Sequence, residues 1–474
     1  MFDVIVIGGG VVGGLIFREL TKYELSVCLV EKEKDVAMGA SKANSGIVHA
    51  GFDALPNTLK AKFNVAGNKM MESLTKELGV EYRRNGSLVL AFSEEEIQTL
   101  FELKERGEEN GVVELQILER EKLRAKEPNV AQDALAALYA PTGGIVCPYG
   151  LTIAAIGNGM DNGGKLFTDF EVEKIRKIDG GFRLFSKNGQ VEGKTVVNCA
   201  GLQGGRIASL IGDELPIKGR KGEYILLDRE SGNFISHTLF CTPTKQGKGI
   251  LVTPTADGNL LLGPTAEEME KPNTETSATG LRYVIEKAKK MSQNPPLSNT
   301  ITSFAGIRAY SEKHDFIVEE SKKAQGFIHC IGIESPGLTA SPAIAKYVVE
   351  TLLLKRIVLK PNGNFNGERK PSRFFKHLSI EEKNKLIQID PAYGKIVCRC
   401  EQITEGEILR AIRENPPAQD VDGVKRRTRS GMGRCQGGFC QPYVVELLAK
   451  EQGVAVTEIT KNGKGSTLLV ERTK

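Results

Sequence analysis

Four of the nine cysteines in this 474-residue chain stand together near its C-terminus, as Cys398-x-Cys400 and, 34 residues later, Cys435-x4-Cys440. A thiolate is a soft metal ligand, and two close pairs separated by a small helical stretch can place four of them around one metal centre. The spacing is neither that of a thioredoxin-type redox pair nor that of a common zinc finger. On spacing alone an iron–sulfur cluster, a zinc ion and a purely structural cluster all stay open. The other five, Cys28, Cys147, Cys199, Cys241 and Cys330, lie in apolar or turn contexts, where a reduced cysteine is usually a small buried hydrophobe. A basic run, Lys425, Arg426, Arg427, Arg429 and Arg434, flanks the clustered thiols. It can offset the negative charge of a four-thiolate cluster and raise its potential. A nucleic-acid patch is the weaker reading, because no aromatic residues interleave with these cations.

The other chemistry-bearing pattern opens the chain. Gly8-x-Gly10-x-x-Gly13 follows the apolar run at 2–7 and precedes a helical stretch, and a second apolar run at 26–30 ends on Glu31. In that setting Gly8 permits a tight turn, Gly10 lets the backbone approach a pyrophosphate, and Gly13 permits close helix–strand packing. The helix N-terminus offers free N–H groups and the positive end of its dipole to phosphates. Glu31 suits the ribose hydroxyls. The fingerprint marks a dinucleotide site without deciding between FAD and NAD.

These residues need a scaffold to position them. The length suggests two or three domains, and 40% hydrophobic with 26% charged residues is ordinary for a soluble globular protein. A formal net charge of +5 does not argue for nucleic acid at this length. No apolar run approaches the ~20 residues that span a bilayer, and the first strand begins at Phe2, so a cytoplasmic location without a leader is expected. The opening βαβ unit predicts a doubly wound α/β domain. Strand-like runs are expected at 87–92, 166–173, 182–187, 195–201 and 327–333, and helices within 94–127 and 341–354. Short β-type runs at 224–227, 249–254 and 259–262 predict an antiparallel sheet inserted in that domain. Pro, Asn, Gly and Lys mark a linker from 361.

Three further segments decide the cofactor by resemblance. Residues 39–51 (GASKANSGIVHAG) resemble the second flavin-contacting loop of the D-amino-acid oxidase-like FAD superfamily. Residues 198–201 (NCAG) are similar to its strand-end turn near the cofactor, and 332–339 (GIESPGLT) to its last flavin motif. The resemblance implies FAD, held by Gly8, Gly10, Gly13, Glu31, Ser41, Asn44, Ser45, Gly46, Ala200, Gly201, Gly332, Gly337, Leu338 and Thr339. A helix start facing the isoalloxazine suits the negative charge of a reduced flavin. His49 and 303–308 (SFAGIR) resemble the 2-hydroxyacid and glycerol-3-phosphate dehydrogenase branch. That implies His49 as a candidate base and Arg308 as a fork for a carboxylate or phosphate. Loop orientation is an equal alternative for His49, and a structural ion pair is the alternative for Arg308. Lys218, Arg220, Lys221 and Tyr224 either border that site or form a solvated basic turn.

The cysteine segment, with 401–408 and 426–437, resembles the bacterioferritin-associated-ferredoxin-type [2Fe–2S] domain. Its second gap is wider than in the small ferredoxin, as in the version fused to anaerobic glycerol-3-phosphate dehydrogenase large subunits. The resemblance implies Cys398, Cys400, Cys435 and Cys440 as cluster ligands.

The expected architecture is therefore α/β. A doubly wound, Rossmann-like FAD domain spans 1–360, with an inserted antiparallel-sheet substrate domain mainly at 82–147 and 205–310. A linker follows at 361–392, and then a small α-rich iron–sulfur domain and tail at 393–474. The expected function is flavin-dependent oxidation of sn-glycerol 3-phosphate to dihydroxyacetone phosphate. Electrons would leave through the cluster to a partner subunit or carrier, which would also provide any membrane association, and no nucleic acid is involved. The alternatives are a dehydrogenase of another small acid, L-2-hydroxyglutarate or an imino acid, and a non-catalytic redox sensor or scaffold.

Overall fold

The structure is a computed structural model, and residues 1–243, 249–371 and 375–471 are described. Residues 244–248, 372–374 and 472–474, which fall in the expected substrate sheet, linker and tail, lie outside the described residues.

The chain's apolar runs build a parallel sheet. Its central strands are Phe2–Ile7 and Gly189–Asn198, flanked by Val27–Val30 and then Lys165–Phe167 on one side and Phe327–Ile331 on the other. Val4, Ile5, Val6, Cys28, Leu29, Val196 and Val197 have essentially no exposed surface, as strands covered on both faces require. An antiparallel hairpin, Lys174–Ile178 with Gly181–Ser186, extends the sheet through Gly189–Asn198, and Ile317–Glu320 closes the other edge. The expected strand at 166–173 is realised only as Lys165–Phe167. Helices Val11–Leu20, Leu59–Glu77, Pro148–Asp161 and Gly337–Tyr347 cover one face through Phe17, Met71, Leu151 and Ile344. Because the core strands run parallel, their carboxyl ends share one edge. Gly8, Glu31, Ala200 and Gly332 all follow strand ends on that edge, where open α/β sheets bind ligands.

A second sheet of nine strands joins two excursions of the chain, Ser87–Glu119 with Ala136–Ala140, and Lys218–Tyr310. It is antiparallel except for one pair: Thr238–Cys241 runs parallel to Ser87–Ala91. That pair is where the two excursions meet, so no hairpin dictates its direction. The charged stretch at 94–127 resolves into helix Glu94–Glu109, strand Gln116–Glu119 and helix Arg120–Lys126. The long strand Lys218–Leu227 pairs with Thr300–Tyr310 along its whole length, setting Arg220 opposite Arg308.

Residues 361–392 are not bare connecting chain. They dock on the first domain through Arg369, which pairs with Asp161 at 3.2 Å, and they carry helix Ile380–Ile389, closed by a capping box between Ser379 and Glu382. The C-terminal domain is small and helical. A two-stranded hairpin, Ile396–Cys398 with Ile403–Thr404, packs on helices Glu405–Arg413, Val421–Thr428 and Gln441–Gln452. Its own core holds Val397, Ile408, Val424, Val444 and Leu448. Among the described residues, no helix is long and apolar enough to cross a membrane.

Candidate active site and thiol cluster

The first βα turn is shaped by close contacts. Gly8 sits at φ +108°, and a side chain there would lie 2.5 Å from the Cys199 carbonyl oxygen; a Cβ on Gly13 would lie 2.1 Å from the Gly8 carbonyl oxygen. Both positions are closed to any other residue. At Gly10 a Cβ would meet only Ser41 Oγ, 3.3 Å away, so the bare backbone faces the cleft. The helix Val11–Leu20 has no side-chain cap of its own. Ser41 Oγ accepts the Val11 N–H at 2.9 Å, bringing the 39–51 loop over the helix start. Glu31 is buried, and its carboxylate accepts the N–H groups of Gly9 at 2.6 Å and Glu33 at 2.9 Å. Burial pushes its carboxyl up, with these two N–H groups acting against it.

The cleft that opens here has a volume of about 750 Å³ and runs from Glu31 past Ser41 and Ala200 to His49 and Arg308. These features fit FAD. A bare glycine backbone and a helix N-terminus sit where phosphates bind, a carboxylate sits at the ribose position, and the cleft is long enough to reach a second chemical centre.

His49 stands at the far end. Its backbone N–H donates to Thr339 Oγ1 at 2.9 Å, and its carbonyl accepts from Asn64 Nδ2 at 3.2 Å and Asn68 Nδ2 at 3.1 Å. The ring Nε2 lies 3.2 Å from Ser335 Oγ, and Phe240 packs beside the ring at 5.9 Å. Across the cleft, Arg308 reaches the Tyr224 hydroxyl. Burial pushes that phenol up, while the guanidinium acts to lower it. Gly306, two residues before Arg308, is required by packing: a Cβ there would lie 1.9 Å from the Ala43 carbonyl oxygen. The second sheet is thereby seated on the 39–51 loop.

Strand alternation sorts the basic turn at 218–224. Arg220 and Tyr224 line the cleft, and Arg220 also contacts Glu268 at 3.2 Å. Lys221 points the other way into a buried pair with Glu223 at 2.9 Å, and Lys218 pairs with Glu312 at the surface.

The structure brings Gly8, Gly10, Glu31, Ser41, Asn44, Ser45, His49, Ala200, Gly201, Arg308, Gly337 and Leu338 to one cleft. Gly13, Gly46, Gly332 and Thr339 do not line it. They support it from behind, as when Gly46 pairs its carbonyl with the Val146 N–H at 2.8 Å. Sequence reasoning missed Lys60, Asn64 and Phe240 on the cleft wall. Lys60 pairs with Glu334 at 2.7 Å, but it lies on a helix that carries no motif, so no local signal marked it.

At the C-terminus the four thiols meet as two pairs. Cys400 and Cys435 are 3.6 Å apart, and the Cys398 and Cys440 thiols are hydrogen-bonded to each other. The Cys440 contact, helped by the Gly431 and Glu401 N–H groups against the effect of burial, brings the Cys398 thiol down to about 6. Burial acts upward on Cys435, but the N–H groups of Gly437, Phe439 and Gly438 and the Cys400 contact bring it below the ordinary thiol range. Two pairs suit a two-iron cluster, in which each iron takes two thiolates.

Most of the basic run is committed to other partners, while Arg434 stays within electrostatic reach of the Cys400 thiol. Arg426 and Arg427 are buried on Asp35, at 2.6 Å and 2.8 Å. Arg429 is buried between Glu401 at 2.8 Å, Asp257 at 3.0 Å and Asn259 at 2.8 Å. Arg434 reaches Glu230 at 2.6 Å. Arg426, Arg427 and Arg429 tie the cluster domain to the rest of the chain.

Comparison with known proteins agrees with this architecture. Residues 3–351 match the family model "FAD dependent oxidoreductase", and residues 396–450 match "BFD-like [2Fe-2S] binding domain". A glycerol 3-phosphate dehydrogenase of Caloramator mitchellensis is 49% identical over 478 residues, covering 100% of this chain and 99% of that one. A glycerol 3-phosphate oxidase of Mycoplasma genitalium is 35% identical over 77% of this chain and 98% of its own. The dithionite-reduced L-alpha-glycerophosphate oxidase of Mycoplasma pneumoniae, solved with FAD bound, superposes with a TM-score of 0.74 at 30% identity, covering 78% of this chain and 98% of that one.

Proposed function

This chain belongs to the FAD-dependent oxidoreductase family, and from that premise we propose that it oxidises sn-glycerol 3-phosphate to dihydroxyacetone phosphate and passes the electrons through a [2Fe–2S] cluster to an acceptor protein. The observation that carries the reading is one cleft that joins the dinucleotide fingerprint to His49 and Arg308. It lies in a chain similar from end to end to a glycerol 3-phosphate dehydrogenase. When bound, FAD supplies a two-electron acceptor that can release electrons singly to an iron–sulfur centre.

The chain's own residues do the rest. Arg308 offers its guanidinium to the substrate phosphate as a bidentate fork. Tyr224 holds that side chain at the cleft wall. His49 Nε2 takes the proton of the substrate hydroxyl, with the Ser335 hydroxyl marking the hydrogen-bonding position at that nitrogen. Thr339, Asn64 and Asn68 fix the His49 backbone, so the ring is held by a rigid helix start and a second helix. Phe240 walls that end of the cleft against water. Gly8, Gly10, Gly13, Glu31 and the 39–51 loop hold the dinucleotide. Cys398, Cys400, Cys435 and Cys440 would hold the cluster, which would supply the one-electron exit.

The test is an anaerobic purification followed by visible and electron paramagnetic resonance spectra before and after addition of sn-glycerol 3-phosphate. Flavin bleaching together with a reduced [2Fe–2S] signal is the expected result. If both cofactors are present and respond only to L-2-hydroxyglutarate or proline, the substrate assignment falls. Zinc at the cysteines would remove the electron-exit half.

A further inference from the structure

Resting on the [2Fe–2S] reading above, we propose that the Ser430 hydroxyl donates a hydrogen bond to the Cys440 sulfur of the cluster and thereby sets the cluster's reduction potential. Ser430 is 4% exposed, and its Oγ makes no hydrogen bond to any nitrogen or oxygen of the described residues. A buried hydroxyl without such a partner carries a desolvation cost and calls for an explanation. The group it meets is the buried Cys440 thiol. The Cys398 contact and burial push that thiol up, and the Ser430 hydroxyl acts against them.

The other three thiols are served by the backbone. Cys398 accepts the N–H groups of Gly431 and Glu401, Cys435 those of Gly437, Phe439 and Gly438, and Cys400 that of Cys435. Cys440 has the Ser430 side chain in that place. Backbone donors come with the fold, whereas a serine hydroxyl is a choice of residue. The turn that carries it is held from several sides. Arg429, at φ +71°, closes helix Val421–Thr428 and is fixed by Glu401 and Asp257. Thr428 Oγ1 accepts the Ser430 N–H at 3.1 Å. The next residue, Gly431, sits at φ +89° and directs its N–H to Cys398. The hydroxyl is thus presented to the buried thiol pair with little freedom to turn away.

The sign of its effect follows from charge. A ligating cysteine is a thiolate and has no proton to give, so the hydroxyl must be the donor. Such a bond strengthens as negative charge on sulfur grows, and one-electron reduction adds one negative charge to the cluster. The bond therefore favours the reduced state and raises the potential. Because the hydroxyl serves no nitrogen or oxygen, removing it strands no other polar group.

The test is an anaerobic titration of the holoenzyme with dithionite and mediator dyes, with the reduced cluster read by electron paramagnetic resonance. Iron and sulfide are measured first, and zinc at the cysteines would overturn the cluster reading and this inference with it. Since dithionite supplies the electrons, the result does not depend on sn-glycerol 3-phosphate being the substrate. Ser430→Ala is expected to make the cluster about tenfold harder to reduce, which is about 59 mV for one electron, while the flavin potential stays unchanged. Ser430→Thr and Ser430→Val share one shape and differ in the hydroxyl, so Ser430→Val should be about tenfold harder to reduce than Ser430→Thr. That pair decides the matter should Ser430→Ala fail to hold iron. With iron and sulfide present, equal potentials in wild type and Ser430→Ala, or in Ser430→Thr and Ser430→Val, overturn the proposal alone. A flavin potential that moves as far as the cluster's would mark a general disturbance and overturns it as well.

Discussion

At the scale of single residues, His49 and Arg308 occupy the same cleft yet are expected to fail differently when replaced. Arg308→Ala removes charge-assisted hydrogen bonds worth about 1.5–3 kcal/mol, which is roughly a 10- to 150-fold loss in kcat/KM, carried mainly by KM. Arg308→Lys should recover part of it, because the charge survives and the fork does not. His49→Gln should instead lower kcat by about 10²–10⁴ with little change in KM, as loss of a proton acceptor does. Stopped-flow reduction of the flavin against substrate concentration separates the two. A KM effect at His49 with unchanged kcat would make it a loop-orienting residue.

Both residues were legible because each lies in a local motif with an unusual composition. Tyr224 was only half legible: its strand could be read, but its pairing with the strand that carries Arg308 depends on a sheet register that no local pattern announces. Lys60 and Phe240 carried no signal at all, because they reach the cleft only through the packing of a helix and a second sheet.

At the scale of elements, the decisive contacts join segments far apart in sequence. Asp35 lies in the loop between Glu31 and Ser41 and meets Arg426 and Arg427 some 391 and 392 residues later. Reading the sequence placed those arginines beside the thiols, where they are neighbours in the chain; the fold turns them toward Asp35. Burial acts to raise the Asp35 carboxyl, but the Arg427 and Arg426 guanidiniums hold it well below the usual carboxylate range. Its contribution to stability is therefore present above about pH 4 and is lost only as pH falls toward that depressed value. Asp35→Asn leaves buried Arg427 without its counter-ion and Arg426 with only Asp420, 4.0 Å away, at a cost of about 3–5 kcal/mol. Calorimetry should show a lower Tm, and limited proteolysis should release the C-terminal domain sooner. An unchanged Tm would mean that the pair contributes nothing net.

A second element-scale prediction concerns strand Phe327–Ile331. His329 Nε2 meets Asp213 Oδ2 at 2.9 Å, and the Ser321 hydroxyl donates to the same oxygen. Its Nδ1 faces Asn198 Nδ2 at 3.4 Å, so it is an acceptor, and the ring is held neutral beneath the 198–201 turn. Burial lowers the His329 value, with Asp213 opposing. The unfolded chain therefore takes up this proton first, and stability falls as pH drops below about 6.5 toward the folded value. Thermal unfolding across that window should show the loss in wild type and a smaller one in His329→Asn.

At the scale of the whole molecule, the proposed electron exit depends on how the cluster domain is held to the rest of the chain. The cluster domain is clamped to the loop after Glu31 through Asp35 and to the second sheet through Asp257. Tyr149, which follows the strand paired with the 39–51 loop, meets Met432 in the cysteine-bearing segment at 3.6 Å. The segment between the two cysteine pairs is thus packed on the helix that follows the partner strand of the 39–51 loop. An oxidase would need none of this, since oxygen can take both electrons from a flavin directly. The two half-reactions should therefore separate when the cluster is removed. In the double variant Cys398→Ser with Cys400→Ser, bleaching of the flavin by substrate should stay within about twofold of wild type, because no cleft residue has changed. Transfer to a protein acceptor should fall by at least about two orders of magnitude, since the exit station is gone while the distance remains. Anaerobic stopped-flow with and without acceptor reads the two rates independently. Equal loss of both would mean that the thiols hold the fold of the flavin domain, and the cluster would then be structural.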